Sequence, residues 1–167
     1  MNTDELLDTA IAAARHSPNR VRKVGAVLLP AGGQAALSAC NTYPRGVQDT
    51  EPRHQGNGRL IWMEHAERNA IFAAARAGIA LEGASITTTY FPCIDCARAI
   101  VQSGIRQVHT LPPDLADPVW GESFIYSRTV LEEAGITLHF STRDPATVHA
   151  NTMAAEPRPL TAQVPVP

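Results

Sequence analysis

Lysine is nearly missing from this chain of 167 residues: Lys23 is the only one among fourteen Lys and Arg residues. Such a skew, beside abundant alanine, reads as compositional bias, so an isolated arginine carries little weight. There is no basic excess either. The formal charge of −2 and a pI near 6.3 argue against tight, nonspecific binding of nucleic-acid polymers. No apolar run is long enough to span a bilayer, and the first residues, Met1 to Glu5, are acidic where a secretory signal is basic. A cytoplasmic protein without a membrane segment is expected. Three cysteines make no disulfide framework, and two of them stand three residues apart, a spacing suited to metal ligation in a reducing compartment.

The apolar fraction, 44%, is that of a globular protein, and the length suits one domain with a buried core. Helical spacing of Leu6, Leu7, Ala10, Ile11 and Ala14 predicts a helix over residues 3–16. Strands over 24–29 and 34–40, separated by Pro30-Ala31-Gly32-Gly33, predict a hairpin. Residues 42–60 hold Pro44, Gly46, Pro52, Gly56 and Gly58 and read as a long loop able to cover a site. Then come a helix over 64–77 stopped by Gly78, a strand over 85–90, a helix over 93–103 closed by Gly104, a strand over 107–111, a helix over 123–134 and a strand over 137–140. The order is αββαβαβαβ. Helices joining the last three strands predict that these run parallel in an α/β layered domain. From Thr142 the proline-rich sequence predicts loss of regular structure, so residues 1–141 are expected to form the domain and 142–167 a tail.

The chemistry lies at two helix starts. Cys93 and Cys96 can direct both sulfurs to one point near a helix N-terminus, where the positive end of the helix favours thiolates. Zinc accepts sulfur and imidazole ligands, and three protein ligands leave a fourth position for water. His65, at the start of the preceding helix, is the third ligand in this reading, and Glu67, two residues on, is placed as a base rather than a ligand. Alone, either half reads by default as buried cysteines or a satisfied surface histidine. Together, His65-Ala66-Glu67 and Pro92-Cys93-Ile94-Asp95-Cys96 match the zinc deaminase signature.

The longer blocks His65-Ala66-Glu67-Arg68-Asn69-Ala70-Ile71 and Phe91-Pro92-Cys93-Ile94-Asp95-Cys96-Ala97-Arg98 resemble the metal blocks of the deoxycytidylate deaminases, within the cytidine/deoxycytidylate deaminase superfamily. Val24-Gly25-Ala26-Val27 is similar to that family's first strand, and the likeness runs from about Arg15 to Phe140. It implies the three-layer cytidine deaminase-like fold, a five-stranded mixed sheet with helices on both faces. It also implies zinc held by His65, Cys93 and Cys96, proton transfer by Glu67, and a homo-oligomer. Asn41, before Pro44 and Gly46, resembles a substrate-binding position, although Ala39-Cys40-Asn41-Thr42 stands where the family reads Gly-Tyr-Asn-Gly. The backbone N–H of Ala66 and of Cys93 can fix a polar edge of the substrate. Trp120 can stack on a heterocycle or simply pack, and Arg45, Arg53, His54 and Arg59 can grip a phosphate or remain solvated. Cys40 reads as a small buried side chain, and His16, His109, His139 and His149 as structural or exposed. The activity expected is deamination of a cytosine nucleotide, dCMP first, with a nucleoside, nucleobase or other amino-heterocycle as the alternative and a structural zinc protein as the different class.

Overall fold

A computed structural model describes residues 3–32 and 35–154. Helix α1 (Thr3–Ala14) precedes the hairpin β1 (Gly25–Leu29) and β2 (Leu37–Cys40), and Gln34, expected to open the second strand, lies outside the described residues. There follow α2 (Gly58–Trp62), α3 (Ala66–Ala77), β3 (Ser85–Thr88), α4 (Ile94–Gln102), β4 (Gln107–Thr110), α5 (Gly121–Glu133), β5 (Thr137–Phe140) and α6 (Pro145–Met153). The sheet order is β2-β1-β3-β4-β5. β1 runs antiparallel to both neighbours, while β3, β4 and β5 run parallel, as helical crossovers require.

Alternation along β1 assigns the layers. Ala26 and Leu28 join Ile86 and Val108 beneath Ala70 and Ala74 of α3, Ile100 of α4, and Phe124 and Leu131 of α5. Val27 faces the opposite layer, against Leu6 and Ala10 of α1. That layer sits very close: a Cβ on Gly25 would come within 1.9 Å of the Ala10 carbonyl oxygen, so only glycine lets α1 lie on β1 here. The C-terminal ends of β3 and β4 point towards the loops that carry Tyr90 to Cys93 and Leu111 to Trp120, where parallel α/β sheets bind ligands.

Two expectations need correction. The segment 42–60 is not a plain loop, since it contains a 3-10 turn (Glu51–His54) and helix α2. The glycines that suggested a loop serve its turns: Gly56 has positive φ, and Gly58 lies against the Arg53 carbonyl, with no room for a side chain. Regular structure also does not end at Thr142. Pro145 occupies the start of α6, where a missing N–H costs nothing, and the carboxylate of Asp144 accepts the Thr147 N–H at 2.9 Å as an N-cap. Val148 is buried against Leu7, Ile11 and Leu111. Arg143 pairs with Asp8, and Arg15 Nε donates to the Asn151 carbonyl at 2.9 Å, so α6 is clasped to α1. Residues 155–167 of the expected tail lie outside the described residues.

A docked α6 has a measurable consequence. Val148→Ala removes two buried methyl groups and leaves a small cavity, so chemical denaturation should show a loss of about 2 kcal/mol. An unchanged midpoint would mean that α6 contributes nothing to the domain.

Candidate active site

His65 and Cys93 are both N-cap residues with extended backbone, at the starts of α3 and α4. The helix expected from Glu64 starts at Ala66 because the Glu64 backbone is paired with Thr42 in both directions, at 2.8 and 3.1 Å, which holds it out of the helical turn. Likewise Cys93 lies just before α4 and not within its first turn. Two helix N-termini therefore face one point, each with backbone N–H groups that lack partners inside the helix.

At that point the His65 Nδ1 atom is 3.4 Å from Cys93 Sγ and 3.5 Å from Cys96 Sγ. All three donor atoms lie within 4.8 Å of one another, the one such group of three metal-type donors among the described residues. Tetrahedral zinc, with bonds of about 2.3 Å to sulfur and about 2.0 Å to nitrogen, separates those atoms by about 3.6 Å. The donor set and its spacing thus fit the ion. Cys93 is brought down to about 4 by its hydrogen bond with Cys96 against the opposing effect of burial, with His65 adding to the fall. A thiolate is the form a metal needs.

Glu67 is buried, and its Oε2 has no hydrogen-bond partner among the described residues. Burial pushes its carboxyl group above the ordinary carboxylate range, with the nearby His65 working in the opposite direction. An unpartnered oxygen here is costly unless something polar meets it, and the adjoining pocket supplies the room. That pocket is a partly open cleft, with about 510 Å³ of empty space once its solvent-filled mouth is included. His65, Glu67 and Cys93 lie on it together with Asn41, Arg59, Met63 and Trp120.

The frame around the donors is held from α5. Ser123 Oγ accepts the Ile94 N–H at 2.9 Å, and the buried Ser127 hydroxyl donates to the Pro92 carbonyl at 2.7 Å. Arg68 of α3 bonds Glu64 and reaches Asp95 of α4 at 3.6 Å, tying the starts of these two helices together. Trp120 sets its ring edge-to-face with His65, centroids 5.3 Å apart.

The remaining residues singled out in the sequence divide clearly. Ala66 is fully buried at the first position of α3. Asn41 reaches the pocket, but its amide is engaged: Oδ1 accepts the Val24 N–H at 2.8 Å and Nδ2 donates to the Arg22 carbonyl at 2.9 Å. Arg59 lines the pocket, whereas Arg53 lies over the Trp62 ring and His54 bonds Tyr43 and Asp49. Cys40 stands outside the donor cluster, its thiol pushed up to about 11 by burial. Sequence reasoning missed Arg22 and Tyr90, both on the pocket wall. Tyr90 had a usable signal, since it lies two residues past the end of β3 and directly precedes Phe91-Pro92-Cys93.

A mixed sheet that brings a His-x-Glu helix start and a Pro-Cys-x-x-Cys helix start to one pocket is the arrangement of the deaminases of amino-heterocycles. The chain belongs to the cytidine and deoxycytidylate deaminase family: the profile of that family's zinc-binding region matches residues 1–111. An uncharacterized deaminase from the luxG 3' region of Aliivibrio fischeri is 38% identical over 98 residues, 58% of this chain and 64% of its relative, so just under two thirds of that relative is spanned. The deoxycytidylate deaminase of enterobacteria phage T4 is 45% identical over 73 residues, 43% of this chain and 34% of the phage protein. In fold, the chain is similar to the dCMP deaminase of cyanophage S-TIM5 solved with dCMP and dUMP. That match has a TM-score of 0.66 and 22% identity, covering 83% of this chain and 95% of the other.

Proposed function

We propose that this protein is a zinc-dependent hydrolytic deaminase of a cytosine nucleotide, with dCMP as the first candidate and dUMP and ammonia as products. The observation that carries the reading is the meeting of His65 Nδ1 with two cysteine sulfurs, at 3.4 and 3.5 Å, on a pocket that also holds the buried Glu67. His65, Cys93 and Cys96 would hold the ion. Bound zinc supplies Lewis acidity, which brings the pKa of a water towards about 7. Glu67 takes that water's proton and passes it to N3 of the cytosine ring as the water oxygen adds at C4. It then carries the remaining hydroxyl proton to the exocyclic amine, which leaves as ammonia, and the ring is left as uracil. The Ala66 N–H, unpaired within its helix, orients the substrate's polar edge, and Trp120 offers a ring face to the base. Asn41 acts mainly by fixing the backbone of Arg22 and Val24 at the rim, with one amide hydrogen left for substrate.

Arg59 on the pocket wall favours a phosphorylated substrate over a nucleoside. In this reading residues 1–141 are the catalytic domain and α6 is an added strap. Exposed Ile61, Trp62, Phe72, Ile125 and Tyr126 offer apolar surface for self-association into a homo-oligomer. Among the described residues no helix is long and apolar enough to cross a membrane. The test is a panel of dCMP, CMP, deoxycytidine, cytidine, cytosine and guanine, followed by ammonia release. The expected result is a kcat/KM for dCMP at least about tenfold above that for deoxycytidine, an advantage that Arg59→Ala reduces. Activity confined to unphosphorylated substrates would keep the mechanism and overturn the nucleotide assignment.

A further inference from the structure

The wall of the pocket away from the metal donors is a stack of three groups brought from distant parts of the chain. The Tyr90 ring lies flat on the His149 ring, centroids 3.7 Å apart and planes 2° from parallel. The Arg22 guanidinium sits 4.7 Å from the Tyr90 centroid as a cation–π contact. Arg22 also pairs with the carboxylate of Asp117, whose other oxygen accepts the N–H groups of Val119 and Trp120, each at 2.9 Å. Trp120 in turn meets His65. A continuous set of contacts thus joins α6 to the substrate pocket and to the loop beside the metal donors. Tyr90 and Arg22 also line a second cavity, on which His149, Asp114 and Asp117 lie, so α6 forms the back of the wall.

We propose that His149 is a positioning residue for substrate: neutral, it holds Tyr90 and Arg22 in place as the pocket wall, and its protonation in acid loosens that wall and weakens substrate binding. The proposal rests on the deaminase reading. His149 Nε2 lies 3.2 Å from the Thr89 carbonyl oxygen. A carbonyl only accepts, so Nε2 carries the hydrogen and the neutral ring has its lone pair on Nδ1. A second proton would give His149 a positive charge close to the Arg22 guanidinium that the same Tyr90 ring already carries, and the two cations repel each other. Burial lowers the pKa of His149 below the ordinary imidazole range, the Thr89 bond opposes this and Arg22 adds to it. Asp114 and Asp144 favour the charged form, Tyr90 is uncharged, and Asp117 is engaged by Arg22. From α1 the contacts on α6 are Leu7 and Ile11, with Arg15 bonded to Asn151 and Asp8 to Arg143.

Two variants separate stacking from titration. His149→Ala removes both, while His149→Phe keeps a flat ring without a titrating proton. With the zinc-loaded protein at pH 7.5, His149→Ala should raise KM for dCMP about five- to tenfold, the value of one ring stack, with kcat and metal content little changed. In wild type KM should rise as pH falls below the ordinary imidazole range, and in His149→Phe it should stay flat. An unchanged KM in His149→Ala, or an acid rise that survives in His149→Phe, would overturn the proposal. A Trp62→Phe background, in which Trp120 is the only tryptophan, gives a readout free of substrate. Its emission should titrate with the pH of the KM rise and lose that transition when His149→Phe is added, whereas a transition that persists would overturn the proposal. If no compound in the panel is deaminated, the functional reading falls, while the Trp120 emission still decides the role of His149.

Discussion

Glu67→Gln should lower kcat for deamination about 10³-fold, within the roughly 10²- to 10⁴-fold that a positioned general acid–base contributes. Glutamine has almost the same shape and can still hydrogen-bond, but it neither takes a proton from water nor delivers one to a ring nitrogen. Glu67 lies outside the donor set of His65, Cys93 and Cys96, so metal content should not change. Stability should hold or improve slightly, because the replaced carboxylate is buried with an unpartnered oxygen. KM should move little, which separates loss of proton transfer from loss of binding. A variant that kept more than about a tenth of wild-type kcat would remove Glu67 from the mechanism.

Cys96→Ser should abolish metal retention and, with it, activity. Cys96 is fully buried in the first turn of α4, and no other thiol lies near enough to replace it. Serine's hydroxyl is a harder, poorer zinc donor and does not ionise in this range, so three donors become two. Metal per chain by mass spectrometry or atomic emission should fall from about one to under about a tenth. Because an ion that binds only the folded state stabilises it by mass action, chelation should lower the wild-type Tm and leave that of Cys96→Ser unchanged. A Cys96→Ser protein that still held one zinc per chain would overturn the proposed donor set.

The reach of the sequence can be seen in the same residues. That His65, Cys93 and Cys96 come together was legible because local order carries them: Cys93 and Cys96 are three apart, and His65, two before Glu67, stands at a second helix start. The parallel strands β3 to β5 followed from the helices between them and from the β-branched run Ile86-Thr87-Thr88-Thr89. Helix α6 was hidden because Pro145 was read as a breaker, although Asp144 and Thr147 around it make an N-cap. Its docking depends on Val148 meeting Leu7, Ile11 and Leu111, contacts that no local pattern announces. The Arg22, Tyr90 and His149 stack was hidden for the same reason: each residue alone reads as a surface arginine, a strand aromatic or a tail histidine, and only the fold brings them together. Asn41, read as a substrate contact, lines the pocket, but its hydrogen bonds to the backbone of Arg22 and Val24 could not be read from its neighbours.

The central claim, hydrolytic deamination at a zinc-bearing His65, Cys93 and Cys96 site, is tested most directly by incubating the zinc-loaded protein with dCMP in oxygen-18-labelled water. The predicted result is dUMP bearing one labelled oxygen, with one ammonia released per dUMP. A deaminated product without the label, or no turnover of dCMP or of any other compound in the panel, would contradict it.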